Sequence, residues 1–172
     1  MPVNDSPVLT PGGGSPTFTE GGPPAVLDPV LAVADPDSPN MAFANVTITN
    51  LLDAGQETLA ASTAGTSVVA VFISPTLVLS GSDTVAHYQT VLRTVNYSNS
   101  SSNPNTTARS ISFVANDGTL ASNTVVKSLT VVAANDVPTL TAGGGSPTYS
   151  EDRAAVAVDP ALDRLPSERR HR

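Results

Sequence analysis

An all-β sandwich of antiparallel strands is the fold class this sequence predicts, and three observations predict it. Short runs rich in Val, Ile, Thr and aromatic residues recur along the chain, separated by Gly, Pro, Asn, Asp and Ser. No amphipathic helical pattern of useful length lies between them. Hydrophobic residues make up 40% of the chain, mostly Val, Ala and Leu, while only 4% is aromatic and 13% charged, a balance that suits a β protein with many turns. About seven strands are expected, a number typical of Greek-key sandwiches.

In chain order the expected strands are residues 17–19, 26–34, 42–50, 67–73, 76–80, 91–98, 110–115 and 124–133. Alternation justifies the clearest of them. In Phe43-Ala44-Asn45-Val46-Thr47-Ile48-Thr49 and in Ile111-Ser112-Phe113-Val114, apolar and polar side chains take opposite faces, one for the core and one for water. Residues 84–89 lack that alternation and could form one helical turn, with Asp83-Thr84 able to act as its N-cap. Loops are marked by Gly, Pro and Asn clusters at 11–14, 21–24, 35–40, 99–105 and 116–118. Asn116-Asp117-Gly118 closes a hairpin, since Asp-Gly readily takes positive φ.

A repeat sets the domain organisation. Asn4-Asp5-Ser6-Pro7 returns as Asn135-Asp136-Val137-Pro138, and Gly12-Gly13-Gly14-Ser15-Pro16-Thr17-Phe18-Thr19-Glu20 returns as Gly143-Gly144-Gly145-Ser146-Pro147-Thr148-Tyr149-Ser150-Glu151. The offset is a constant 131 residues, the period of a whole domain. Residues 1–136 therefore form one repeat and 137–172 the truncated start of a second. From 154 onward the repeat pattern is lost, and the Arg-rich composition reads as an atypical, disordered basic tail. Such a chain is one link in an array whose function lies in extension and junction chemistry.

Charge narrows the partners. Residues 1–136 carry ten Asp and Glu against Arg93, Arg109 and Lys127, a net of about −7. That field repels phosphate backbones and anionic lipid, so nucleic acid and membrane surfaces are poor partner candidates and divalent cations good ones, while solubility alone would also account for the charge. No apolar run is long enough to cross a bilayer, and the absence of Cys rules out disulfides and thiolate metal sites. Two histidines without a nucleophile motif give no catalytic set. Tyr88 and Tyr97 read as core or corner tyrosines.

The oxygen donors cluster at turns: Asn4-Asp5, Glu20, Asp35-Pro36-Asp37, Asp83, Asn116-Asp117 and Asn135-Asp136. Calcium selects six or more such oxygens. Taken singly, Asp35, Asp37, Asp117 and Asp136 sit where an Asx-turn or a cap would suffice, and Glu20 where an exposed edge strand profits from a charge.

These motifs resemble the cadherin-like tandem repeats of bacterial surface and secreted adhesins. The resemblance runs over residues 4–136: Asn-Asp-x-Pro-Val at the linker, Thr19-Glu20-Gly21 on the first strand, Ala34-Asp35-Pro36-Asp37-Ser38, then Leu79-Ser80-Gly81-Ser82-Asp83-Thr84 and Ser112-Phe113-Val114-Ala115-Asn116-Asp117-Gly118. It implies a cadherin- or Ig-like sandwich with Ca2+ held where successive repeats meet. Carried over by position, Glu20, Asp83, Asn135 and Asp136 serve the C-terminal junction, and Asn4, Asp5, Asp35, Asp37 and Asp117 the N-terminal one. Asp83 departs from the family's Asp-Arg-Glu, so one carboxylate is missing there. Each junction is expected to be represented by a half-site. The implied function is a rigid, non-catalytic spacer in a large exported adhesin at the cell surface or outside the cell, with adjacent repeats of the same polypeptide as partners. The alternatives are a module binding a cell-surface glycan or protein, or another copy of the repeat, through loops such as 99–105, and an accessory repeat of a secreted hydrolase.

Overall fold

The computed structural model describes residues 3–137, 148 and 150–154. The chain divides into two units, 1–135 and 136–172. Within the second, the described residues include a turn in which Arg153 N–H donates to Ser150 O at 3.3 Å. The expectations for 138–147 and for the tail beyond Ala154 lie outside the described residues.

Eleven strands and one helix make up the first unit: β1 Val8–Thr10, β2 Thr17–Thr19, β3 Ala25–Val26, β4 Ala32–Ala34, β5 Asn40–Ile48, β6 Glu57–Ala60, β7 Val69–Ile73, β8 Thr76–Thr84, α1 Val85–Arg93, β9 Asn96–Asn99, β10 Arg109–Asn116 and β11 Val125–Val132. The excess over the expected strands comes from β1, β6 and the division of 26–34 into β3 and β4. A six-stranded sheet has the order β2-β11-β10-β5-β8-β7, a three-stranded sheet the order β3-β9-β6, and β1 pairs with β4. All pairings are antiparallel save β2 with β11, which is parallel and so departs from the expectation.

The core is what alternation dictates. Every second residue of β10 and β11 is buried, and Leu77, Leu79, Ala44, Val46 and Ile48 continue that inner face across the sheet. The three-stranded sheet packs on the same core, where the Phe18 ring of β2 meets Tyr97 of β9 edge-on at 5.4 Å between centroids. A fully buried side chain of this size contributes about 1.5–3 kcal/mol through apolar area removed from water.

Four expectations need correction. Residues 26–34 are not one strand: Pro29 lacks an N–H, and Asp28 turns inward to accept from Gly12 N–H at 2.9 Å and to pair with Lys127 at 3.3 Å, so the chain breaks between β3 and β4. Residues 91–93 belong to α1, not to a strand, because Tyr88, Val91 and Leu92 fall on one helical face and are buried together. The helix is longer than one turn, but Thr84 caps it as expected, its hydroxyl accepting from His87 N–H at 3.2 Å. Strands β1 and β6 were not anticipated. In β6 the inward position at the strand's start is a carboxylate, Glu57, which hides the alternation.

A β-bulge between Met41 and Phe43 interrupts the β5–β8 register. Opposite it, Gly81 has φ +111°, and a Cβ there would lie 2.7 Å from Ser67 O, so only Gly fits. The Tyr88 hydroxyl lies 2.7 Å from Gly81 O and 3.0 Å from Ala42 O, on either side of the bulge, and donates between them. Burial, with the charge of Asp83, pushes this phenol up to about 12.

Candidate functional site

The chain entry, the loop before β5 and the end of β10 meet at one end of the sandwich. Asn4 Nδ2 donates to Asp117 Oδ2 at 2.8 Å, and Ser38 Oγ donates to Asn4 Oδ1 at 3.3 Å. Asp5 N–H donates to Asp37 Oδ2 at 3.1 Å, while Asp35 Oδ1 accepts from the N–H groups of Asp37 and Ser38. Five residues expected at the N-terminal junction, Asn4, Asp5, Asp35, Asp37 and Asp117, are thus linked in one network, although Asp5 joins it through its backbone. The local reasons are those of turn chemistry. Asp35 closes an Asx-turn over Pro36, and Asp117 Oδ1 caps the loop by accepting from Thr119 and Leu120 N–H at 2.6 and 2.7 Å. Gly118 takes φ +105°, as the Asp-Gly turn requires, but the β10–β11 connection runs to Ser122, whose N–H returns to Ala115 O.

Within the network of Asn4, Asp35, Asp37 and Asp117 itself, no basic side chain takes part in the hydrogen bonds among the described residues. Burial raises the Asp117 carboxyl, but hydrogen bonds from Asn4 and from the Leu120 and Thr119 N–H groups outweigh it and hold the group below its ordinary value. Asp35 Oδ2 is buried with no hydrogen-bond partner.

At the other end, Glu20 follows β2. Its Oε2 accepts from Ala134 N–H at 2.9 Å, which ties the first strand to the chain leaving β11 just before Asn135 and Asp136. Its Oε1 is the second buried oxygen without a partner. Asp83 does not join this group, which corrects its assignment to the C-terminal junction. From β2 the sheet passes to parallel β11 and then through three antiparallel steps to β8, so the C-terminal end of β8 lies opposite that of β2. Asp83 sits across from Met41 at the end that holds Asp35 and Asp117. There its carboxylate accepts from Ser67 N–H at 2.6 Å, Thr84 N–H at 2.8 Å and His87 Nδ1 at 2.7 Å. The Ser67 bond is the largest of the influences that keep its pKa below the ordinary value. Among the described residues the His87 ring is hydrogen-bonded to Asp83, while the Thr84 hydroxyl accepts from the His87 backbone N–H.

Sequence reasoning missed a second polar assembly altogether. Glu57 and Arg109 are 1% and 0% exposed and pair through Oε1 and Nε. Arg109 reaches Asp53 Oδ2 at 2.8 Å, the Tyr97 hydroxyl donates to Glu57 Oε1 at 2.7 Å, and Asn99 Nδ2 donates to Asp53 Oδ2 at 2.7 Å. The N–H groups of Leu52 and Asp53 close the remaining Glu57 oxygen. Burial raises Glu57, yet the Tyr97 and Arg109 bonds reverse the sign and leave it below its ordinary value. Burial and the Glu57 carboxylate push the Tyr97 phenol well up. Arg109 sits at an inward position of β10, where only apolar residues were expected, and that was the one available signal.

Chemically, the two ends offer hard oxygens. Among the described residues no three carboxylate or imidazole side chains gather closely enough to hold a metal ion by themselves. Two buried oxygens, Asp35 Oδ2 and Glu20 Oε1, are left without a hydrogen-bond partner among the described residues, and an unpartnered buried carboxylate oxygen is one that a hard cation could satisfy. Comparison with protein-family models, curated proteins and solved structures found no significant match to this chain.

Proposed function

We propose that this chain is a calcium-binding structural repeat of the cadherin-like kind, a stiff spacer in a large exported adhesin that carries out no reaction. The observation that carries the reading is the convergence of Asn4, Asp35, Asp37 and Asp117 from three separated stretches of chain, around a buried Asp35 oxygen with no partner. The 131-residue recurrence supports it, because Asn135-Asp136 repeats Asn4-Asp5 beside the Glu20-bound end of the first repeat.

In this reading Asn4, Asp35, Asp37 and Asp117 offer oxygens to a cation on the N-terminal side, and Glu20, Asn135 and Asp136 do so on the C-terminal side. Calcium, when bound, supplies the positive charge that the hydrogen bonds of the N-terminal network lack. The residues themselves hold the linker: Glu20 fixes the exit of β11, and Asp37 fixes the entry of the chain at Asp5. Without the ion the acids repel and the linker loosens. Asp83 is not assigned to the ion, since its oxygens already serve Ser67, Thr84 and His87.

A longer chain carrying two complete repeats tests this. It should unfold at a higher temperature and lengthen in small-angle scattering when millimolar calcium is added, while the present chain responds weakly. A two-repeat chain whose melting and dimensions ignore calcium would overturn the reading.

A further inference from the structure

Among the described residues, the outward face of the six-stranded sheet carries no acid. From β2 across to β7, the outward positions of the regular ladder are Thr, Ser, Asn, Val, Ile and Phe, with no Asp, Glu, Lys, Arg or His among them. A typical surface is roughly 25–35% charged. The face ends at β7, and there the apolar character peaks: Val69, Val71 and Ile73 are 56, 48 and 65% exposed. The two edges of the sheet differ. Strand β2 is three residues long and lies between Pro16 and Glu20, features that blunt strand pairing. Strand β7 has five residues in unbroken register with β8, and within it there is no charge, Pro or bulge.

We propose that the β7 edge is a contact between copies of this chain, in which a second molecule adds its own β7 antiparallel to the first. Pairing centred on Val71 sets Val71 against Val71 of the second copy and Val69 against its Ile73, so the exposed side chains meet in one apolar strip on one face. The edge is therefore self-complementary, and its two-fold symmetry closes. Charge selects the partner as well. Molecules of net charge −7 can approach along this face without opposing acids, whereas a charged partner finds no counter-charge on it. Two five-residue strands pair over about 17 Å, which buries less than the roughly 1,200 Å² of a stable specific interface, so one repeat associates weakly and arrays associate by summing contacts. The inference is independent of the calcium reading.

The experiment is sedimentation equilibrium of the full chain in chelator, from about 1 μM to about 1 mM, at low and high salt. The weight-average mass should rise from 17.5 kDa toward twice that value at the highest concentrations, and more so at high salt, which screens the like charges. Val71→Lys and Ile73→Lys, each checked for an unchanged circular dichroism spectrum, should both remain monomeric, and Val126→Lys on β11 should associate as the parent does. A parent that stays monomeric throughout would overturn the proposal. So would association that weakens with salt, or that Val126→Lys abolishes while Ile73→Lys leaves it intact, since the sheet face rather than the edge would then be the contact.

Discussion

Strand β10 begins and ends at sites that treat charge in opposite ways. At its start Arg109 is fully buried, and two carboxylates, a phenol and an amide close around it until Glu57 has no oxygen left unpartnered. At its end, about 25 Å away at the usual rise per residue, Asp117 joins Asn4, Asp35 and Asp37 in a network that contains no cation, and one oxygen is left over. The first arrangement is complete within the chain. The second is held by amide donors and the Ser38 hydroxyl, and it is the one left incomplete.

Mutation should separate the two ends most sharply. Arg109→Met leaves Glu57 buried and unpaired and should cost about 3–5 kcal/mol in denaturant unfolding, while Glu57→Gln together with Arg109→Met should recover part of that loss. If Arg109→Met costs no more than Asp117→Asn, the contrast drawn here collapses. Tyr97→Phe removes one donor to the same carboxylate, and a loss of about 1–3 kcal/mol is expected.

Acid titration sharpens the comparison further. Glu57, Asp83 and Asp117 all have folded pKa values below the unfolded 4.5, 3.8 and 3.8. Their contribution is therefore complete above those values and is lost as pH falls through the lower folded ones. Tyr88 and Tyr97 act at the other limit: their raised values stabilise the fold below pH 10, and that share is lost as pH rises toward the folded value, about 12 for Tyr88. Melting temperature against pH should thus be flat from about 5 to about 9 and fall on both sides. A fall centred near neutrality would contradict this assignment of the acid and alkaline limbs. The smallest effect belongs to Asp117→Asn, worth about 0.5–1 kcal/mol without calcium because the side chain is only partly buried.

The fold was legible where inward and outward residues differ in polarity, as along β5 and β10. It was illegible where an inward residue is charged: Glu57 concealed β6, and Arg109, counted only as a base, meets its carboxylate partners Asp53 and Glu57 from 56 and 52 positions away. Asp28 had the same effect on the break between β3 and β4. Tyr88, Val91 and Leu92 carried a helical spacing that a strand reading of 91–98 cut in two. At the candidate site, residue type and turn context marked these residues as oxygen donors at turns, and their grouping at one junction came only from the resemblance. The error fell on Asp83, whose end of the sandwich depends on how many antiparallel steps separate β8 from β2, a fact of topology that spacing does not contain.

The measurement that tests the central claim most directly is a calorimetric titration of calcium into a chain of two complete repeats, alongside its Asp136→Ala variant. The account predicts saturable heat at micromolar to millimolar calcium in the parent and its loss or marked weakening in the variant. A parent that gives no heat, or a variant that binds as the parent does, would contradict it.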